Sequence, residues 1–340
     1  MKINDKVALD FDDVLLEPQY SEVSSRTHVD TGTKLGHLEL KIPIISANMD
    51  SIASVLMIHA IEHLGGLGIM HRYQAHENIL NAINIFKEEG LYAIPSIGTQ
   101  KEDYDLAKRY FDAGADAVCV DVAHGHHKSV GQMANHCRHF VGFKTVIAGN
   151  IATLEGTRFL WENGANVVKV GVGPGKVCST RMVTGSGVPQ LSALDNAAWI
   201  KRNRQDLSVI ADGGIKNSGD IVKALVFADA VMLGSLLAGT DETPGTVRAD
   251  TYHTESGLPL SPQYKEYRGM ASKDAQLEFR GKVNNNAPEG FSIRVDYKGP
   301  VKPIIEELVG GIRSGFSYSG AKNLKEFQEK AVFNRVNRIK

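Results

Sequence analysis

Val167-Val168-Lys169-Val170-Gly171-Val172-Gly173-Pro174-Gly175-Lys176-Val177-Cys178-Ser179-Thr180-Arg181 begins as an apolar, β-branched run and breaks into a glycine-rich loop. Such a run reads as a strand buried on both faces. Glycines at positions 171, 173 and 175 strip the loop of side chains, so its backbone amides can approach a ligand closely. A cysteine follows, with two hydroxyl residues and an arginine beside it. A thiolate is the nucleophilic form of cysteine, and nearby positive charge or aligned N–H dipoles favour it near neutral pH. The loop is not a P-loop, which needs Ser or Thr directly after Gly-Lys, where Val177 stands. Nor is it a dinucleotide fingerprint, which needs a third glycine at the position of Lys176.

The same grammar recurs. The segments from Phe111 to Gly125, Trp161 to Gly175 and Leu225 to Gly239 each read as a helix end, a small-residue turn, an apolar strand and a glycine loop. Recurrence at roughly fifty to sixty residues, with two αβ units per period, marks a repeat architecture. Strands of this kind fall at residues 42–46, 67–70, 92–97, 117–122, 145–149, 167–172, 208–212 and 230–234, with helical patterns such as Ile52 to Leu64 and Asp103 to Ala113 between them. Continuous apolar strands separated by helices predict an α/β chain with a parallel sheet covered on both faces. Eight such units predict a (β/α)8 TIM barrel, with a doubly wound open sheet as the alternative. Residues 1–40 form an N-terminal cap or hairpin over one barrel end. Residues 240–300, polar and without clear periodicity, read as a flap-like insertion after the eighth strand. No linker composition separates a second domain, so residues 1–340 read as a single catalytic domain.

With 340 residues, 42% hydrophobic and 23% charged, the chain has ample core for one large domain. A net charge of −1 argues against nucleic-acid or membrane-surface binding. Three cysteines, at 119, 137 and 178, give neither a disulfide framework nor a metal-binding spacing. The first residues lead into no apolar segment, and a reducing cytoplasm is the expected compartment.

Barrel enzymes place their chemistry at the C-terminal ends of the strands. Here those ends read Ser46-Ala47-Asn48-Met49, Met70-His71-Arg72, Asp121-Val122-Ala123-His124, Ala148-Gly149-Asn150, the cysteine loop, Asp212-Gly213-Gly214 and Gly234-Ser235. Gly213, Gly214, Gly234 and Ser235 suit a phosphate, because backbone N–H groups there can face an anion. Asp212 would repel the phosphate and is better placed to accept from ribose hydroxyls. Asp121, with His124, His126 and His127, lacks the partner cluster that a metal site needs, and reads instead as an anchor for a bound ring or amide. Cys119 and Cys137 read as inert core residues.

The cysteine loop, Thr184-Gly185-Ser186-Gly187-Val188-Pro189-Gln190, Asp212-Gly213-Gly214, Gly234-Ser235, Tyr267-Arg268-Gly269-Met270 and the opening Phe11-Asp12-Asp13-Val14-Leu15-Leu16 together resemble the IMP dehydrogenase/GMP reductase family. The likeness covers essentially the whole chain. It implies a Cys178 thiolate that attacks C2 of a purine nucleotide, with Thr180 and Glu289 handling the proton. It further implies that Tyr267 holds the phosphate and that Met270, Ala271 and Gly269 meet the base. Asp121 and Asn48 would lie at the cofactor, and carbonyls of Gly173, Gly175 and Cys178 could hold potassium, as in the dehydrogenase branch. A homotetramer acting on GMP and IMP is implied.

Three features favour the reductase branch, that is, NADPH-dependent conversion of GMP to IMP and ammonia. Residues 72–91 form one helical stretch with no CBS-domain pair inserted. The segment between Met270 and Glu289 has no Arg-Tyr dipeptide to activate water. Ala47-Asn48-Met49 resembles the reductase form of its loop. Arg268, Pro288 and Asn286 point the other way, so the alternative is a dehydrogenase without CBS domains, oxidising IMP to XMP with NAD. Lys176 stands where the family commonly has Ser.

Overall fold

The computed structural model describes residues 3, 5–253, 256, 259–280 and 287–336. Asn286 lies outside them. The eight barrel strands are β1 (Ile44–Ser46), β2 (Leu67–Gly68), β3 (Ser96–Ile97), β4 (Val118–Asp121), β5 (Val146–Ile151), β6 (Val167–Val170), β7 (Ser208–Asp212) and β8 (Ala230–Leu233). Each falls within or beside a predicted span, and all run parallel in the order β2-β1-β8-β7-β6-β5-β4-β3. A parallel bridge from Met70 to Pro95 joins the two ends, with Met70 N donating to Ile94 O at 2.9 Å and Ser96 N to Met70 O at 3.0 Å. The fold is therefore a TIM barrel, with α1 (Val55–His63), α2 (His76–Glu88), α3 (Lys101–Asp112), α4 (Lys128–Asn135), α5 (Leu154–Glu162), α6 (Thr180–Thr184), α7 (Gln190–Lys201) and α8 (Ser218–Leu225) between strands.

The repeat has a mechanical reason. In each copy the helix ends in a tight turn, and the polar residue that follows it, Asp116, Asn166 or Asp229, accepts a backbone N–H near the start of the neighbouring strand. The donors are Ala93, Val146 and Val209, each at 2.8 Å. Gly114 and Gly164 take φ of 94°, which a side-chain-bearing residue rarely adopts.

Glu62, near the end of α1, does the same for Tyr92 N at 2.7 Å, but its other carboxylate oxygen has no hydrogen-bond partner among the described residues. Burial pushes its pKa up to about 8. Because this value exceeds the ordinary 4.5, Glu62 costs the fold stability as pH rises from about 4.5 through 8. Glu62→Gln should therefore raise stability by ~2–4 kcal/mol at pH 8.5 and by little at pH 5, read from urea melts. Equal gains at both pH values would contradict this.

Strand alternation divides the core into two layers. Val118, Val120, Val146, Ala148, Val168, Val170, Val209 and Ala211 pack outward under the helices. Cys119, Ile147, Val167 and Ile210 fill the barrel interior. By the two-residue period, the next inward positions toward the C-terminal end are Asp121, Gly149, Lys169 and Asp212. The barrel's plug is thus apolar below and charged above.

The N-terminal hairpin (Thr33–Leu35 with Leu38–Leu40) closes the bottom, where His37 N donates to Thr145 Oγ1 at 3.0 Å. Residues 240–300 differ from the reading of an irregular segment. They carry an antiparallel sheet of Arg248–Ala249, β9 (Gln263–Arg268) and β10 (Ser292–Asp296), followed on β9 by helix α9 (Lys273–Arg280). Lys265 hid the alternation: it points inward with Tyr267, and its ammonium donates to Thr240 O and Thr243 O at 2.9 and 2.8 Å. The chain continues through α10 (Val301–Tyr318) and α11 (Leu324–Lys330). Beyond α11, Phe333–Arg335 pairs antiparallel with Val14–Leu16, tying the two ends of the described chain together.

Candidate active site

A cavity of about 560 Å³ opens at the C-terminal end of the barrel, lined by Cys178, Thr180 and Glu289, by the phosphate, ribose and base candidates from Asp212 to Ala271, and by Asn48 and Asp121; His124, His126 and His127 lie outside its lining. Cys178, partly exposed, is held by its amide on Gly175 O at 3.0 Å. Its thiol donates to Thr180 Oγ1 at 3.2 Å, and the Thr180 hydroxyl donates to Glu289 Oε2 at 2.8 Å. Backbone pairing fixes this relay, since Ser179 N donates to Glu289 O at 2.9 Å and Phe291 N to Val177 O at 3.2 Å. Gly269 N in turn donates to Phe291 O at 3.2 Å and Ser272 N to Gly269 O at 3.0 Å, which places Met270 and Ala271 at the rim.

On the opposite wall stand the glycine turns. Gly213 and Gly214 have φ of 93° and 81°, and the Pro174 ring packs against both. A Cβ on Gly234 would come within 2.7 Å of the Tyr267 hydroxyl, so that glycine makes room for the tyrosine. Tyr267 is buried, and burial holds its pKa above the ordinary phenol value, leaving a neutral hydroxyl.

Between the two walls lies a buried charge cluster. Lys169 is 2% exposed, and its ammonium donates to Asp121 at 2.8 Å, Asn48 Oδ1 at 3.2 Å and Asp212 at 3.3 Å. Burial opposes its charge, yet the two aspartates outweigh burial and hold the pKa above the ordinary lysine value. Burial likewise pushes the Asp121 carboxyl up, but Lys169, with Arg72 and Asn48, pulls it below the ordinary aspartate value. Asn150 Nδ2 donates to Asp212 Oδ2 at 2.8 Å and Gln190 Nε2 to Val170 O at 2.8 Å, squaring β6 against β7. Gly149 admits the lysine, since a Cβ there would lie 2.6 Å from Lys169 Cβ. Sequence pattern does not single out Lys169 as a site residue; its mark there is one charge inside an apolar strand.

The cavity also runs past the sulfur to Arg72, Tyr73, Gln276 and Phe279. The Tyr73 and Phe279 rings lie 5.4 Å apart, the Arg72 guanidinium sits 4.4 Å over Tyr73, and Arg72 Nε is buried with no hydrogen-bond partner among the described residues. An aromatic wall carrying a cation suits a flat heterocycle on a phosphorylated linker, so these residues fit a nicotinamide dinucleotide. The potassium seat fits poorly. The Gly175 carbonyl already accepts the Cys178 amide, and the Arg181 side chain lies where a Cβ on Gly173 would be, at 2.5 Å, bringing a cation to the loop.

The other candidates take structural places. His127 caps α4 through its ring, and His126 packs on Phe159 at 5.2 Å. Burial pushes the Cys119 and Cys137 thiols up to about 12, so both are inert. Arg268 binds Asp50 (Nε to Oδ2 2.7 Å) and Glu278 rather than facing the sulfur.

The family model described as the IMP dehydrogenase / GMP reductase domain matches residues 8–339. The inosine-5′-monophosphate dehydrogenase of Staphylococcus epidermidis is 41% identical over 308 residues, 86% of this chain and 61% of the relative, so this chain spans less than two thirds of that protein's length. The enzyme of the same name from Aquifex aeolicus is 33% identical, covering 97% of this chain and 93% of its own. Among solved structures, a cysteine-to-alanine variant of GMP reductase from Trypanosoma brucei in complex with guanosine 5′-monophosphate superposes with a TM-score of 0.87 at 29% identity, covering 98% of this chain and 96% of that one. With its barrel, its cysteine loop and a match over nearly its full length, the chain belongs to the IMP dehydrogenase/GMP reductase family.

Proposed function

We propose that this chain is a GMP reductase, converting GMP to IMP and ammonia with NADPH. The observation that carries the reading is the Cys178–Thr180–Glu289 relay, which ends in a carboxylic acid group. The Cys178 sulfur bonds to C2 of the purine, and the C2–N bond to the exocyclic amine breaks. An amide ion is too basic to depart, so the nitrogen must leave as ammonia, carrying away the proton that the thiol gave up. Thr180 and Glu289 stand where that proton has to pass. A thioimidate remains at C2, and it resolves when C2 gains a hydride and the C2–S bond breaks to return the thiolate. When bound, a reduced nicotinamide supplies that hydride. Arg72, Tyr73 and Phe279 would hold the dinucleotide, with Asn48 and Asp121 at the carboxamide. Gly213, Gly214, Gly234, Ser235 and Tyr267 would seat the 5′-phosphate, Asp212 the ribose, and Gly269, Met270 and Ala271 the base. No step is derived through potassium.

In this reading residues 1–340 are one catalytic unit with residues 240–300 as its flap, and the working assembly is a cytoplasmic homotetramer. Arg268, which looks more like a dehydrogenase residue, pairs with Asp50 and Glu278. That second reading, IMP to XMP with NAD, is favoured by the names of the bacterial relatives. Loss of NADPH absorbance with GMP, set beside NAD⁺ reduction with IMP, decides between them. Turnover in the first mixture alone is the expected result, and turnover in the second alone overturns the reading. Glu289→Gln should slow ammonia release about a hundredfold while slowing hydride transfer less than tenfold, read by single-turnover kinetics. Equal slowing would remove Glu289 from the proton path.

A further inference from the structure

The loop that carries Cys178 doubles back on itself, and one side chain runs between its two limbs. Residues 172–178 lead out from β6, α6 turns the chain, and residues 185–189 bring it back to α7. Arg181, on the first turn of α6, lies against a glycine of each limb: a Cβ on Gly173 would come within 2.5 Å of its Cγ, and one on Gly187 within 2.8 Å. At its tip the guanidinium donates from Nη2 to Val188 O at 2.8 Å and from Nη1 to Asp10 Oδ2 at 3.4 Å. Its Nε is buried with no hydrogen-bond partner among the described residues, and the residue stands outside the cavity lining. Asp10 opens the Phe11-Asp12-Asp13 segment, and its other carboxylate oxygen accepts the Gln190 N–H at 2.7 Å. Leu9 N donates to Ser192 Oγ at 2.8 Å and Ser192 N to Leu9 O at 3.1 Å, while Lys216, just beyond the Gly213-Gly214 turn, donates to Asp12 at 2.7 Å. The N-terminal segment is thus pinned to the start of α7, and Arg181 carries that anchorage into the cysteine loop.

We infer that Arg181 is a positioning residue for the nucleophile: its guanidinium ties the returning limb to α6 and so holds Thr180, one position before it, between the Cys178 sulfur and Glu289. Neighbouring residues of one short helical turn move together. Cutting the tie at Val188 lets α6 swing, and the contacts of 3.2 Å to the sulfur and 2.8 Å to Glu289 are lost together. The glycine turns after β7 and β8 belong to other segments, so the nucleotide seat stays while the reacting groups lose their alignment. The charge-assisted contact to the Val188 carbonyl is the shorter of the two at the tip. Asp10 and Arg181 have side chains 40% and 34% exposed, so water screens their pair and Asp10 contributes less. The strut rests on the relay of the proposed reaction, but not on which nucleotide that relay meets.

The test uses the full chain as Arg181→Met, which keeps the stem between the two glycines and removes the guanidinium, beside Arg181→Lys, Asp10→Asn and Thr180→Val. Turnover is followed in whichever mixture wild type uses, GMP with NADPH or IMP with NAD⁺, so a failed reductase reading shows in wild type and the strut is judged on the reaction found. Arg181→Met should lower kcat about thirtyfold with KM changed less than about threefold, and its urea midpoint should stay near that of wild type. Lysine, which offers Val188 one donor, should recover at least about fivefold of that loss, and Asp10→Asn should cost less than about fivefold. In the Thr180→Val background, where the relay is already cut, Arg181→Met should cost less than about threefold more. A kcat within about threefold of wild type for Arg181→Met, a lysine variant no faster than the methionine one, or losses that multiply in the double variant overturns the inference. So does a rate loss matched by a fall in both urea midpoint and nucleotide affinity, which would make Arg181 a residue of general stability.

Discussion

Cys178→Ala is expected to lower turnover by about four orders of magnitude or more while GMP binds within about threefold of wild type, because the sulfur makes the bond to C2 but not the seat for the nucleotide. The loop that carries it is set by backbone contacts, Cys178 N to Gly175 O and Ser179 N to Glu289 O, which alanine retains. The side chain is only partly buried, so its truncation leaves little cavity. Steady-state kinetics with NADPH, paired with calorimetric titration of GMP, reads both quantities. Residual turnover within tenfold of wild type would end the covalent account, and a parallel loss of GMP affinity would assign the cysteine to binding.

Lys169→Met is the second large effect. It removes the cation from a site where Asp121 and Asp212 both point at it from the barrel interior. Breaking a buried pair strands the remaining charge, at a cost of ~3–5 kcal/mol. Urea melts at neutral pH should show that loss, and activity should fall with it, since Asp212 and Asp121 can no longer both hold charge and position. Adding Asp121→Asn to Lys169→Met should recover part of the stability and none of the activity. A loss under about 1 kcal/mol for the single variant would show that solvent already screens the cluster.

The two cases differ in how far the sequence discloses them. The cysteine loop is legible because glycine, cysteine and hydroxyl residues stand together within a few positions, and the eight strands because their apolar runs are continuous. Lys169 sits in that same quoted stretch, yet strand alternation alone does not say which face is the barrel interior. Only the neighbouring strands show that Asp121 and Asp212 share its layer. Glu289 lies 109 positions from Thr180, no local pattern brings the two together, and only the family likeness points to it. The flap sheet escaped notice for the opposite reason to the barrel: a buried lysine at 265, satisfied by loop carbonyls, breaks the alternation that marks a half-buried strand. The pairing of Val14–Leu16 with Phe333–Arg335 is too short to leave any periodicity at all.

The most direct measurement of the central claim is the mass of the acid-quenched protein after incubation with GMP alone, followed by mapping of the Cys178 peptide. The account predicts ammonia release without NADPH and a nucleotide attached through sulfur at Cys178, absent from Cys178→Ala. Release of no ammonia and an unmodified Cys178 peptide, from protein that turns over GMP when NADPH is added, would contradict it.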